Sequence, residues 1–335
     1  MNPEKKYDVI GIGHALVDRE WTVTDEELAQ LGIAKGTMTL VDAERQEGIA
    51  GSLAGAPHHD SCGGSAANTV IAVAQFGGRA FFICKVAPDT TGNFFATDLK
   101  ANGVDSRALD HPAEGISGRC LVLVSADAER TLCTHLGVSQ KVSPEDLEAV
   151  DLAQGHFLYI EGYLVSSPTA LEAALVAGRR ARAKGTKIAL TFSDVNMIAF
   201  FREGMAQLVG LTPDLIFCNL AEALEYARTS DQEVAVTELL RHTRMLCLTL
   251  GNRGALIATA DERIAITGKS VTAIDSNGAG DLFAGAFLYG ITHGLPLEAA
   301  GQLARDASAQ LVTQFGARLK SHQAQEILAL QERNR

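Results

Sequence analysis

Asp275-Ser276-Asn277-Gly278-Ala279-Gly280-Asp281 runs directly into Leu282-Phe283-Ala284-Gly285-Ala286-Phe287-Leu288. Small residues fill the centre of the first half, so a backbone can approach a ligand closely there. The second half is apolar nearly throughout and reads as a buried helix. A glycine-rich turn feeding a helix aims free N–H groups and the positive end of the helix dipole at one spot, which makes an anion site. Asp281 stands where the loop becomes the helix. It is a helix cap, a role aspartate favours, or a carboxylate that handles a proton beside the anion; the stretch alone leaves both open.

Upstream of this stretch the chain alternates. Phe157–Ile160, Lys187–Thr191, Leu215–Asn219 and Met245–Leu250 read as strands. Helices are predicted at Pro168–Lys184, around Ile198–Leu208 and at Ala221–Ala227, and 255–259 with 263–267 make a terminal hairpin. Two further helices, near 297–311 and 323–332, finish the chain. Near the start, Tyr7–Gly13 and Ala80–Cys84 are buried strands, 62–76 opens on glycines into a small-residue helix, and 94–102 is a helix closed by Gly103. Strands alternating with helices imply an α/β fold with a mostly parallel sheet covered on both faces. Thr24 with Glu27 marks a capped helix, and 50–60 reads as a loop. A hairpin over 119–134 and a short strand at 37–41 sit oddly in this alternation. They suggest a small antiparallel β lid, drawn from about 15–45 and 113–137, inserted in one domain spanning 1–335.

The chain of 335 residues is long enough for a large core, and its 47% apolar and 21% charged content is that of a globular protein. A formal net charge of -11 argues against a nucleic-acid partner but not against phosphate ligands, whose sites can be built from backbone N–H groups. The six cysteines form no C-x-x-C pair and lie in apolar runs, as reduced thiols of a cytoplasmic protein would. No signal peptide is visible, and no apolar run is long enough to span a membrane.

Other signals are weak singly. Gly11-x-Gly13 lacks the small residue a dinucleotide fingerprint needs at Leu16. Asp18 follows the first strand, where open α/β sheets bind ligands, but a loop or cap aspartate is the commoner case. Gly63-Gly64, with Asn68 one turn on, offers free N–H groups or merely tight helix packing. Asn219 with Glu222 is a near capping box first and a site for hydrated Mg²⁺ second. Thr249-x-Gly251-x-x-Gly254 wraps a phosphate or makes a hairpin turn, and Arg130 reads first as a solvated strand charge. His58-His59 lacks the companions of a metal site. Together the ligand-type signals fall at carboxyl ends of successive strands, where one cleft would lie.

Gly63-Gly64 with Asn68, then Asn219-x-x-Glu222, Thr249-x-Gly251-x-x-Gly254 and the 275–281 stretch, resemble in order the ribokinase-like (PfkB) carbohydrate and nucleoside kinases. Ala15-Leu16-Val17-Asp18, the segment 35–42 and Glu129-Arg130-Thr131 are similar to the adenosine kinases and their bacterial relatives. The resemblance implies a three-layer α/β/α fold and transfer of the ATP γ-phosphoryl group to a hydroxyl, with Mg²⁺. Asp281 would be the base, and the N–H groups of Gly278, Ala279 and Gly280 would hold the phosphoryl charge. Asp18, Gly63, Gly64 and Asn68 would hold the sugar, with His14 near the nucleoside pocket. Asn219 and Glu222 would organise Mg²⁺ through water; Thr249, Gly251, Gly254 and Asn277 would lie along the nucleotide. Arg130 would reach the phosphates from the lid, and K⁺ would sit beside Asp275. His14 replaces the asparagine common in adenosine kinases, and 193–196 lacks their usual Pro-Phe. The implied acceptor is the 5′-hydroxyl of a nucleoside, adenosine first. Alternatives are a free sugar such as ribose or fructose, and a catalytically silent ligand-binding protein. Neither a membrane nor a nucleic acid is implied as partner, and monomer and homodimer stay open.

Overall fold

The structure, a computed structural model, describes residues 5–127 and 129–333. The chain starts with β1 (Tyr7–Ile12), β2 (Leu16–Thr22), α1 (Asp25–Gln30), β3 (Met38–Leu40), α2 (Ala43–Ser52) and β4 (His58–Gly63). It continues with α3 (Ser65–Gln75), β5 (Ala80–Ile83), α4 (Thr90–Ala101), β6 (Val104–Ser106) and the hairpin β7 (Gly118–Val124) and β8 (Arg130–His135). Then come β9 (Gly155–Ile160), α5 (Pro168–Ala183), β10 (Lys187–Thr191), α6 (Val195–Phe200), α7 (Arg202–Val209) and β11 (Leu215–Asn219). After α8 (Leu220–Ala227) and α9 (Gln232–Leu239) follow β12 (Met245–Thr249), β13 (Gly254–Thr259) and β14 (Arg263–Thr267). The chain ends in α10 (Ala279–Thr292), α11 (Leu297–Leu311) and α12 (Ser321–Arg333).

A nine-stranded sheet runs β14-β13-β12-β11-β10-β9-β1-β5-β6. It is parallel from β12 to β6, and β13 and β14 turn antiparallel at one edge. Successive residues on its strands point to opposite faces, and both faces are buried. On one side Val9, Phe82, Tyr159 and Phe217 pack with Val70, Phe283, Phe287 and Leu303 of α3, α10 and α11. On the other, Ile10, Leu158, Ile188 and Ile216 pack with Ala170, Ala177, Leu208 and Val236 of α5, α7 and α9. This is the expected α/β/α layering. Helices α3 and α10 touch at Gly285, where a Cβ would lie 2.5 Å from both Ala72 Cβ and the Thr69 carbonyl. That close approach sets Asn68 beside Asp281.

The second sheet runs β3-β8-β7-β2-β4. It is not purely antiparallel: β2 pairs β7, and β3 pairs β8, in parallel. One face packs Trp21, Leu121 and Leu123 against Leu28 of α1 and Ile49 of α2. The other carries Cys120, Val122 and Leu132. Three expectations are corrected here. The loop expected over 50–60 is only 53–57, because 43–52 form α2 and 58–63 form β4. Asp18 is neither loop nor cap but lies inside β2, opposite Ser61. The helix expected around 198–208 is two short ones, broken at Phe201. β4, sequence HHDSCG, shows no apolar alternation; its pairing with β2 makes it a strand, reinforced by the Arg19 guanidinium on Asp60 (2.7 and 2.6 Å). The 119–134 hairpin forms as read; Ala128 in its turn lies outside the described residues.

Candidate active site

In the large sheet β1 lies between β5 and β9, so the chain order reverses there. Open α/β sheets bind ligands outside the carboxyl ends at such a point. His14 follows β1, Glu161 follows β9, Asn219 ends β11 and Thr249 ends β12. All four line one cavity of about 400 Å³, together with the starts of α3 and α10 and the inner face of the small sheet.

Asp281 sits on its floor, in the first turn of α10. The Ser65 hydroxyl donates to its Oδ1 at 2.6 Å and the Asn68 amide to its Oδ2 at 3.1 Å. Burial raises its pKa to about 6, against these two hydrogen bonds and the Arg318 charge, which favour the ionised form. It remains partly exposed to the cavity, so a ligand can reach a carboxylate whose other neighbours are protein. Its cap role is not what the structure shows: the N-cap of α10 is Gly278, at φ +73°, with no side-chain cap. The Ala279 N–H turns to the Ser276 carbonyl at 3.2 Å. Those of Gly278 and Gly280 meet no acceptor among the described residues, and they remain for an anion.

Across the cavity, Asp18 projects from β2. Gly63 and Gly64 are what allow it and β1 to come close. A Cβ on Gly63 would lie 2.3 Å from the Asp18 carboxylate, and one on Gly64, at φ +95°, 2.5 Å from the His14 carbonyl. Packing and site-building are therefore one role here. Burial raises Asp18 to about 7, with Arg318 and Arg130 opposing the shift. His14 is buried, and burial lowers it to about 4, so its ring is neutral. Its Nδ1 lies 3.5 Å from Glu161 Oε1, and its Nε2 has no partner among the described residues. Glu161 accepts the N–H of Ala66 at 2.9 Å and of His14 at 3.4 Å, yet burial still raises it to about 8.

On the opposite side Asn219 caps α8 in a complete capping box with Glu222. Both also line the cavity, and burial raises Glu222 to about 7. These oxygens are the donor type Mg²⁺ prefers, and carboxyls held neutral by burial would ionise beside it. No cluster of three acid, histidine or cysteine side chains that could hold a metal exists among the described residues. A Mg²⁺ here would therefore be held largely by water and phosphate. Asn277 and Thr249 line the cavity, while Gly251 and Gly254 bracket a short 3₁₀ turn beyond its lining.

Arg130 is no solvated charge. Its Nη2 lies 2.8 Å from Asp275 and 3.1 Å from Glu20, close for charge but not aligned as hydrogen bonds. It ties β8 to the glycine loop and is not part of the cavity lining. Asp275 also accepts the N–H groups of Asn277 and Gly316, at 3.0 and 2.9 Å. The guanidinium brings a positive charge to the Asp275 carboxylate, beside which K⁺ was expected.

Sequence reasoning missed Ser65, Glu161 and Arg318. Glu161 was findable, since it directly follows the buried strand β9, where open α/β sheets bind ligands. Ser65 lies between Gly63-Gly64 and Asn68, inside the 62–76 stretch read as a small-residue helix. Arg318 carries no local signal; it reaches Asn68 from between α11 and α12. The Pro-Phe absent from 193–196 is replaced by Ser193 in the left-handed region (φ 67°), its hydroxyl accepting the Gly162 N–H at 2.9 Å. Tyr163 and Phe283 supply aromatic surface to the cavity instead.

The arrangement joins a hydroxyl-accepting pocket, a carboxylate of raised pKa and an anion cradle. Comparisons with known proteins agree with it. The chain is 30% identical over 275 residues to an aminoimidazole riboside kinase from Salmonella typhimurium, covering 76% of this chain and 83% of that one. It is 24% identical over 227 residues to a ribokinase from Staphylococcus aureus, covering 68% and 73%. The solved adenosine kinase from Sinorhizobium meliloti superposes with a TM-score of 0.87 at 34% identity, covering 96% of this chain and 99% of that one. The pattern described as pfkB family carbohydrate kinase matches residues 31–324. With its glycine loop, its Asp281 and its ribokinase-like sheet, this chain belongs to the pfkB family of carbohydrate kinases.

Proposed function

We propose that this kinase transfers the γ-phosphoryl group of ATP to the 5′-hydroxyl of a nucleoside, adenosine first. The observation that carries the acceptor class is the apolar wall that the small sheet turns to the cavity. Leu16, Met38, Leu40, Leu132 and Leu136 line it, and Met38 and Leu40 stay 39% and 51% exposed. A free sugar, covered with hydroxyls, gains little from such a wall; a nucleobase has an apolar face to bury on it. The relatives named for a riboside and for adenosine support the same class.

In this reading Asp18, Gly64 and Asn68 hold the ribose hydroxyls, and the neutral His14 ring offers its free nitrogen to the acceptor. Asp281 takes the proton of the 5′-hydroxyl as its oxygen bonds to the γ-phosphorus. The bond from that phosphorus to the β–γ bridging oxygen breaks, and the electron pair leaves on ADP. The N–H groups of Gly278 and Gly280 and the α10 N-terminus stabilise the charge on the transferring group. Asn219 and Glu222 would hold Mg²⁺ through water, and the ion would supply neutralising charge to the phosphates. The small sheet closing on the acceptor would exclude water, the competing nucleophile. The test is ADP release from ATP and Mg²⁺ with a panel of nucleosides and free sugars. Turnover on at least one nucleoside is expected. Turnover on free sugars alone would move the acceptor class, and ligand binding without turnover would make the protein a silent member of its fold.

A further inference from the structure

Arg318 reaches the site from the segment between α11 and α12. Its Nε donates to Asn68 Oδ1 at 2.9 Å and its Nη1 to Asp98 Oδ2, on α4, at 2.5 Å. A guanidinium has donors only, so the amide of Asn68 has one orientation: oxygen toward Arg318, nitrogen toward Asp281. That nitrogen is the donor 3.1 Å from Asp281 Oδ2. Arg318 is 15% exposed, and its Nη2 is buried with no partner among the described residues. The Asp281 charge in turn acts on Asp18 on β2, Tyr159 on β9, Glu161 and Tyr163 after it, and Glu222 on α8, and Arg130 on β8 acts on Asp18 as Arg318 does. Arg318 is the cation whose charge acts on Asp281 itself.

We infer that Arg318 is a positioning residue for phosphoryl transfer, acting through Asn68 to aim the Asn68 amide at Asp281 and to hold that carboxylate ready for the acceptor proton. The inference rests on the transfer reading above. It makes Asn68 a link between base and cation as well as a sugar contact. Removing the guanidinium would free the amide to flip and strip from Asp281 the positive charge that acts on it. Asp281 would then hold its proton to higher pH, because the Arg318 charge favours its ionised form.

The experiment measures kcat, KM and the pH dependence of kcat on the acceptor found by the panel, for wild type, Arg318→Met, Arg318→Lys, Asn68→Ala and the Arg318→Met/Asn68→Ala double variant. Expected are a kcat loss of roughly ten- to a hundredfold in Arg318→Met, the scale of a misplaced catalytic group, an unchanged KM for ATP, and an acid limb moved to higher pH. Arg318→Lys should restore the acid limb while recovering only part of kcat, since an ammonium keeps the charge without the planar fork. The double variant should fall within about twofold of Asn68→Ala, because the two residues act as one unit. An unmoved acid limb, or losses that simply multiply, would overturn the inference. Should Arg318→Met fail to melt cooperatively, Arg318→Lys and Asn68→Ala carry the same comparison. Wild-type turnover with unaffected variants removes Arg318 alone; a wild type that phosphorylates nothing removes the transfer reading beneath it.

Discussion

The two walls of the cavity are built differently. On the large-sheet side, Glu161, Asn219, Glu222 and Asp281 stand on strand ends and helix starts, and β9, β11 and α10 behind them are buried over most of their length. On the small-sheet side the wall is largely apolar; its edge strand β3 is three residues long and exposed along its whole length. Groups that must hold a geometry against charge need rigid backing, whereas a surface that only has to cover a base can be thin and movable. On the function proposed above, the chemistry falls to the core and the choice of acceptor to the small sheet.

The largest test of that division is Asp281→Ala. It should lower kcat by about 10²- to 10⁴-fold, the range for losing a general base, while calorimetry still finds ATP bound. A near-normal rate would take the chemistry away from the core wall. The pH profile comes next. Asp281 must be ionised to accept a proton and is raised to about 6, chiefly by burial. The rate should therefore rise with pH through that value. Ser65→Ala removes a hydrogen bond that favours the ionised form, so it should shift the rise to higher pH; an unmoved or lowered limb would contradict the site's electrostatics. On the other wall, Met38→Ser with Leu40→Ser should raise the nucleoside KM about tenfold for roughly 1.4 kcal/mol of lost apolar contact, with a much smaller effect on kcat. Equal losses in kcat would mean that the small sheet shares in the chemistry. The smallest effect is expected of Arg19→Ala, which breaks the partly exposed Arg19–Asp60 pair across β2 and β4. Thermal unfolding should show a loss of about 0.5–1 kcal/mol; a much larger loss would make the small sheet as integral to stability as the core.

The same division governs what the sequence discloses. The core elements carry strong periodic signals, and β10, β11 and α11 have the bounds expected of them. The small sheet is held by pairing rather than by pattern, so the end of α2 and the start of β4 looked like a loop and Asp18 like a residue outside a strand. Asp281 and its glycine loop are local and legible. Ion pairs are not: Arg130 meets Asp275, and Arg318 meets Asn68 and Asp98, over separations no local pattern encodes. Glu161 is the instructive middle case, a carboxylate at a strand's end that the same rule could have found.

The central claim is that the core moves a phosphoryl group onto a hydroxyl that the small sheet selects by its base. The most direct measurement is ³¹P NMR of the product formed from ATP, Mg²⁺ and adenosine by the wild-type protein. The expected result is a nucleoside monophosphate whose phosphorus couples to the 5′-methylene protons. Inorganic phosphate alone, or a phosphoryl group carried only by a free sugar added alongside adenosine, would contradict it.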